Sequence, residues 1–256
     1  MRPQRVNVLG VGVSAITLEM AVDIIEKWIA SREPHYVCVT GFHGIMESWR
    51  DKELRRIHNR AGLVTPDGMP LVWLSRLKGF PHVERVYGPD LMLALCKRSV
   101  VKGYRHFFYG GAEGVPELLA SVLQKRFPGL QVAGTFSPPF RPLTPEENEQ
   151  VVRMINDVAP DIVWVGLSTP KQERWMAEHV GRLTAPVLIG VGAAFDFLTG
   201  RKPQAPRWMQ RAGLEWLFRL STEPRRLWKR YLPNIPVFLA LIFLQHLGII
   251  NPTMEE

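Results

Sequence analysis

Short uncharged or apolar runs, separated by stretches with helical periodicity, constrain this chain most. Residues 36–39 are a continuous apolar run, as expected of a strand covered on both faces. Between residues 17 and 30, Leu18, Ala21, Val22, Ile25 and Ile29 recur at helical spacing. The same alternation continues: strand at 106–109, helix at 114–127, strand at 131–135, helix at 145–158, strand at 161–166, helix at 171–180 and strand at 186–191. Earlier, 6–13 reads as a first strand, 44–60 as a helix, 63–65 as a strand, and 69–77 and 89–101 as helices. Alternation of this kind predicts an α/β fold, a mainly parallel Rossmann-like sheet with helices on both faces. Ligands of such a sheet bind at the carboxyl ends of its strands.

That rule singles out loop residues. The second strand delivers Thr40 and His43, and the strand at 63–65 delivers Asp67 between Pro66 and Gly68. Proline fixes its own φ and glycine relaxes the next residue, so Asp67 is held in a tight turn. It reads either as a cap for the helix at 69–77 or as a working group. Gly110 and Gly111 precede a helix whose N-terminal N–H groups suit a phosphate. Lys171 and Gln172 follow the strand at 161–166, and Gly192 and Asp196 follow that at 186–191. Asp196 reads equally as a cap for a short helix, and Arg85 as a surface partner of Glu84 or Asp90. A Gly-x-Gly-x-x-Ala match at 10–15 lacks the acid expected at the end of the next strand, which ends Val39-Thr40, and so does not support dinucleotide binding.

The chain of 256 residues is long enough for one large α/β domain with an appendage, divided here into a core at 1–200 and a membrane-associating appendage at 201–256. Cys38 and Cys96 have no metal-site spacing, and residues 1–7 lack the apolar core of a secretory leader, so a cytoplasmic location is expected. The net charge of +8 is concentrated. Residues 201–230 hold nine basic side chains against Glu215 and Glu223, a local balance of +7. The uncharged run at 235–244 follows, shorter than the ~20 residues of a spanning helix, and reads as an interfacial segment, a subunit contact or a buried C-terminal helix. Nucleic acid is the competing partner for a basic, aromatic-rich patch, but this charge leads into an apolar run rather than a polar recognition element.

Six motifs occur in order: Thr65 to Trp73 (TPDGMPLVW), Arg85 to Leu91 (RVYGPDL), Tyr109-Gly110-Gly111, Pro170 to Glu173 (PKQE), Gly190 to Asp196 (GVGAAFD) and Gly213 to Leu220 (GLEWLFRL). Together they resemble the WecG/TagA/CpsF family of bacterial glycosyltransferases over roughly residues 6–231. The resemblance implies an enzyme that transfers a sugar from a UDP-sugar to a polyprenyl-diphosphate-linked saccharide, with inversion, at the cytoplasmic face of the membrane. It also implies Asp67 as general base, Thr40, Arg85 and Gln172 lining the site, Asp196 near the nucleotide base, and Arg219, Arg226 and Arg230 completing the site from the appendage.

The chemistry is consistent with those residue types. A carboxylate can take the acceptor hydroxyl proton. Fixed cations such as Arg85 and Lys171 can neutralise the departing diphosphate. No Asp-x-Asp occurs, so metal-independent catalysis without a cofactor is expected. Where several family members carry Thr-x-Asn, this chain reads Thr40-Gly41-Phe42-His43, which leaves the transferred sugar open between N-acetylmannosamine and a glucose-like hexose. A non-catalytic basic protein binding membrane or nucleic acid is the alternative, and a homo-oligomer remains compatible with the apolar tail.

Overall fold

The computed structural model describes residues 3–255. The chain opens with β1 (Arg5–Val8) and β2 (Val11–Ser14), an antiparallel pair that forms a small sheet of its own. This corrects the single strand expected at 6–13. Val8 pairs with Val11, and the two residues between them, Leu9 and Gly10, have φ of 52° and 84°, which reverses the chain in the tightest hairpin turn. Gly10 and Gly12 therefore lie in a hairpin and do not open a helix. A Cβ on Gly10 would meet Arg55 Cδ at 3.0 Å and the Thr253 carbonyl at 3.1 Å, and one on Gly12 would meet Met254 Sδ at 3.0 Å. These glycines make room for the C-terminal residues of the same chain.

The elements then follow as α1 (Leu18–Ser31), β3 (His35–Thr40), α2 (Phe42–Arg50), α3 (Lys52–Arg60), β4 (Leu63–Pro66), α4 (Met69–Leu77), α5 (Gly88–Lys102), β5 (Arg105–Gly110), α6 (Val115–Arg126), β6 (Gln131–Phe136), α7 (Pro145–Asp157), β7 (Ile162–Gly166), α8 (Lys171–His179), β8 (Val187–Gly190) and α9 (Ala194–Leu198). The single helix expected at 44–60 is two. Asp51 is extended (φ −121°, ψ 104°), ends α2, and caps α3 by accepting the Leu54 N–H. At α7 a reciprocal box between Thr144 and Glu147 sets the helix start.

β3 to β8 form a parallel six-stranded sheet in the order β4-β3-β8-β7-β5-β6, flanked by helices. β8 is buried along its whole length and β7 up to its last residue, which is why these strands read as continuous rather than alternating apolar runs.

Two compact units divide the chain. The first takes in Met1–Leu18, Val39–Tyr87 and Pro203–Glu256, the second Glu19–Cys38 and Gly88–Lys202. The C-terminal stretch adds α10 (Arg207–Arg211), α11 (Glu215–Thr222), α12 (Pro224–Tyr231) and α13 (Asn234–His246) to the first unit. It is fastened there by side chains. Phe42 packs on Tyr231 and Phe238 at ring separations of 5.7 and 5.9 Å, Gln245 Oε1 accepts the Leu9 N–H at 3.1 Å, and Asn7 Nδ2 donates to the Pro252 carbonyl at 2.7 Å.

α13 is not a buried helix: only Asn234 and Phe238 along it are buried, whereas Leu239 and Phe243 are 61% and 60% exposed. Leu232 and Pro233 keep right-handed helical angles, so the helical run extends over Pro224–His246. An 18-residue window within it has a mean hydropathy of 1.2, so by length and composition it is long and apolar enough to cross a membrane, longer than the run at 235–244 suggested.

Candidate active site

In the first unit the end of β4 and the segment after α4 are laced together. The Val86 N–H donates to the Pro66 carbonyl at 3.0 Å and Thr65 Oγ1 to the Val86 carbonyl at 3.2 Å, which carries Arg85 to Asp67. The Asp67 N–H donates to the Thr40 carbonyl at 3.0 Å, and Arg85 Nε donates to the Asp67 carbonyl. Asp67 is thus fixed by its backbone, and its carboxylate remains a side-chain group. The helix-cap alternative is not realised: Gly68 is the N-cap of α4, and no side chain caps it.

Arg85 bridges two acids. Its Nη2 lies 3.8 Å from Asp67 Oδ1 and 2.5 Å from Glu215 Oε2, while Nη1 donates to Gln210 Oε1 at 3.2 Å. Burial opposes charge on Arg85, but the Asp67 and Glu215 carboxylates outweigh it and hold the guanidinium above its usual pKa. The guanidinium also sits 4.0 Å over the ring of buried Tyr87. Burial, then the Glu215 and Asp67 charges, push the Tyr87 phenol upward, so it stays neutral. Glu215 and Tyr87 belong to the quoted motifs, but residue-type reasoning gave them no role. Their function as partners of Arg85 depends on contacts 130 and 2 residues away in sequence.

His43 lies in the first turn of α2. Burial, with the charges of Arg230, Arg50 and Arg219, pushes its imidazole down to about 3, so it is neutral at physiological pH. Burial and the neighbouring Arg219 and Arg226 also lower Arg230, with Tyr231 and Glu47 opposing them. The nearest acid to His43 is Glu47, 3.8 Å from Nδ1, and the same Glu47 oxygen lies 3.6 Å from Arg50. Three guanidinium charges acting on a neutral imidazole make a setting that suits an anionic ligand. Arg226 is exposed and paired with Glu223 at 2.6 Å. Arg50 acts on His43 from the last turn of α2, and no motif in the sequence marks it.

In the second unit, β5 ends at Gly110 with φ 116°. A Cβ there would fall 2.8 Å from both the carbonyl carbon and oxygen of Gly166, so only glycine allows β5 and β7 to approach this closely. Gly111 N–H donates to the Gly166 carbonyl at 3.0 Å, and α6 begins four residues later at Val115. Lys171 is exposed at the start of α8. Asp196 lies inside α9, whose N-cap is Ala193, and pairs with Lys202 Nζ at 3.0 Å; it is not a helix cap.

Gln172 and Glu173 are 2% and 0% exposed. Gln172 Nε2 donates to Glu173 Oε1 at 3.0 Å, and Thr169 Oγ1 donates to the same oxygen at 2.9 Å. Gln172 packs on the end of β8, where a Cβ on Gly190 would meet its amide at 3.2 Å and one on Gly192 would meet its Oε1 at 3.4 Å. Gln172 Oε1 and Glu173 Oε2 are buried with no hydrogen-bond partner among the described residues. A buried acceptor left unpaired costs about 1–3 kcal/mol, so this arrangement is one that a ligand can complete. Residue type alone assigns no site role to Glu173 of that motif. Among the described residues, no group of three or more His, Cys, Asp or Glu side chains is gathered for a metal.

A sequence profile of the glycosyl transferase WecG/TagA/CpsF family matches residues 6–251. The chain belongs to this family. It is 32% identical over 200 residues to an N-acetylglucosaminyldiphosphoundecaprenol N-acetyl-beta-D-mannosaminyltransferase of Bacillus spizizenii, covering 78% of this chain and 75% of the relative. A Staphylococcus aureus protein of the same name is 26% identical over 242 residues, covering 93% of this chain and 92% of the relative. Membership makes the chain a glycosyltransferase and gives the ordered motifs their common origin.

Proposed function

We propose that this glycosyltransferase moves a hexose from a UDP-sugar to a polyprenyl-diphosphate-linked saccharide, with inversion and without a metal, on the inner face of the plasma membrane. The observation that carries the reading is that one unit holds both a backbone-fixed carboxylate, Asp67, and guanidinium groups whose charges act on buried His43. The names of the Bacillus and Staphylococcus relatives support the acceptor class, a lipid diphosphate carrying N-acetylglucosamine. N-acetylmannosamine is the first donor sugar to test and a glucose-like hexose the second.

In the proposed reaction the Asp67 carboxylate takes the proton from the acceptor hydroxyl as its oxygen attacks the anomeric carbon. The bond to the UDP oxygen breaks on the opposite face and leaves its electron pair on the diphosphate. Arg85, already charged and oriented by Asp67 and Glu215, supplies positive charge for that oxygen. Arg50, Arg219 and Arg230 suit the acceptor's own diphosphate. Thr40, Gly110, Gly111, Lys171, Gln172, Gly192 and Asp196 are assigned to donor and acceptor binding. Exposed Leu239 and Phe243 on α13 and Leu247 at its C-cap, together with Trp228 and the basic residues of α12, support contact with an anionic bilayer.

The test uses purified full-length protein, a short-chain polyprenyl-diphosphate N-acetylglucosamine acceptor and a panel of UDP-sugars, with and without chelator. Transfer that survives chelation, with the opposite anomeric configuration in the product, is expected. No transfer from any UDP-sugar, or turnover restored only by a divalent cation, overturns the donor or the metal-free assignment respectively.

A further inference from the structure

The buried pair Gln172–Glu173 has a polarity that the sequence does not reveal. An amide has one accepting and one donating end, and which end faces outward is set by what the other end binds. Here Glu173 Oε1 receives the Gln172 amide N–H, and Thr169 Oγ1 holds that same oxygen from the other side. Turning the amide over would place its oxygen against the carboxylate. The carbonyl oxygen is thereby directed away from Glu173, to the end of β8, and it has no donor among the described residues. The residue it approaches is Gly192, half-buried and with no side chain to cover it.

We propose that Glu173 is a positioning residue: it locks Gln172 with its buried carbonyl oxygen toward Gly192, as an acceptor for a hydroxyl of the sugar nucleotide. The inference rests on the UDP-sugar reading above and deepens it. The site selects for a ligand that donates a hydrogen bond past Gly192. The hydroxyl belongs to the ribose or to the transferred hexose, and the experiment separates the two.

Binding of UDP and of the UDP-sugar that gives turnover is measured for the wild type, Glu173→Gln, Gln172→Ala and the double variant, together with donor KM, kcat and thermal midpoint. A glutamine at 173 can offer its own N–H to the Gln172 oxygen, which lets the Gln172 amide turn over and present N–H groups to the ligand. Donor KM is expected to rise about 10–100-fold in Glu173→Gln, with a smaller change in kcat. In the Gln172→Ala background the same change should add less than about twofold, because its effect passes through the amide.

If UDP itself weakens as much as the UDP-sugar, the hydroxyl is on the ribose; if only the UDP-sugar weakens, it is on the hexose. An unchanged KM in Glu173→Gln overturns the inference. So does an equal loss in both backgrounds with a matching fall in thermal midpoint, which would make Glu173 a packing residue. A wild type that binds no uridine nucleotide overturns the donor assignment as well, so the two failures are distinct.

Discussion

Replacing Asp67 with asparagine removes the proposed base and keeps the backbone bonds that anchor it. The Asp67 N–H still donates to Thr40, its carbonyl still accepts from Arg85 Nε, and Arg85 keeps Glu215 at 2.5 Å. The variant loses the ion pair at 3.8 Å between groups whose side chains are 15% and 29% exposed. Pairs of this kind contribute about 1 kcal/mol or less. At roughly 2–4 °C per kcal/mol for a chain of this size, the thermal midpoint should move by only a few degrees. The chemical step should fall by about 10²–10⁴-fold, the usual contribution of a positioned base, equivalent to ~3–5 kcal/mol of activation free energy. UDP release with the lipid acceptor, measured for both proteins under single-turnover conditions, gives the decisive readout. Full activity in Asp67→Asn refutes the assignment.

Three further outcomes follow from the same geometry. Gly110→Ala, with φ 116° and a Cβ 2.8 Å from the Gly166 carbonyl group, should cost about 2–4 kcal/mol, whereas Gly114→Ala, at φ 77° with nothing within 4 Å, should cost nearer 1; chemical denaturation compares them. Because the imidazole of His43 is held down to about 3, the unfolded chain binds a proton that the folded chain refuses as pH falls below 6.5. Stability is therefore lost on acidification, and His43→Gln should flatten its dependence between about pH 6 and 4 by up to ~1.4 kcal/mol per pH unit, measured by denaturant melts at each pH. Phe42→Ala removes the ring contacts to Tyr231 and Phe238 and should cost about 2 kcal/mol, with limited proteolysis cutting α13 faster than in the wild type.

The periodicity of the sequence determined most of the sheet. Strand runs of four to six residues and helices with a repeating apolar face are local consequences of burial, so β3 to β8 and the helices between them were legible within a residue or two. The hairpin at Leu9–Gly10 and the break at Asp51 were not. Both depend on backbone conformations that one or two residues adopt, and an apolar pattern averages over them. The motif order likewise carried the family, because several short matches in sequence are far more specific than any one.

What tertiary structure alone decided was the partner of each charge. Asp67 and Asp196 could each be read as helix caps from their neighbours in sequence; the chain closes its helices elsewhere and leaves one carboxylate beside Arg85 and the other on Lys202. The choice of Glu215 for Arg85, the charges of three arginines acting on a neutral His43, and the Gln172 carbonyl oxygen held toward Gly192 all turn on the placement of separate elements. Residue type fixes which groups can ionise or donate. Only the fold fixes which oppositely charged or hydrogen-bonding atom lies within 3–4 Å, where hydrogen bonds form and ion pairs are strongest.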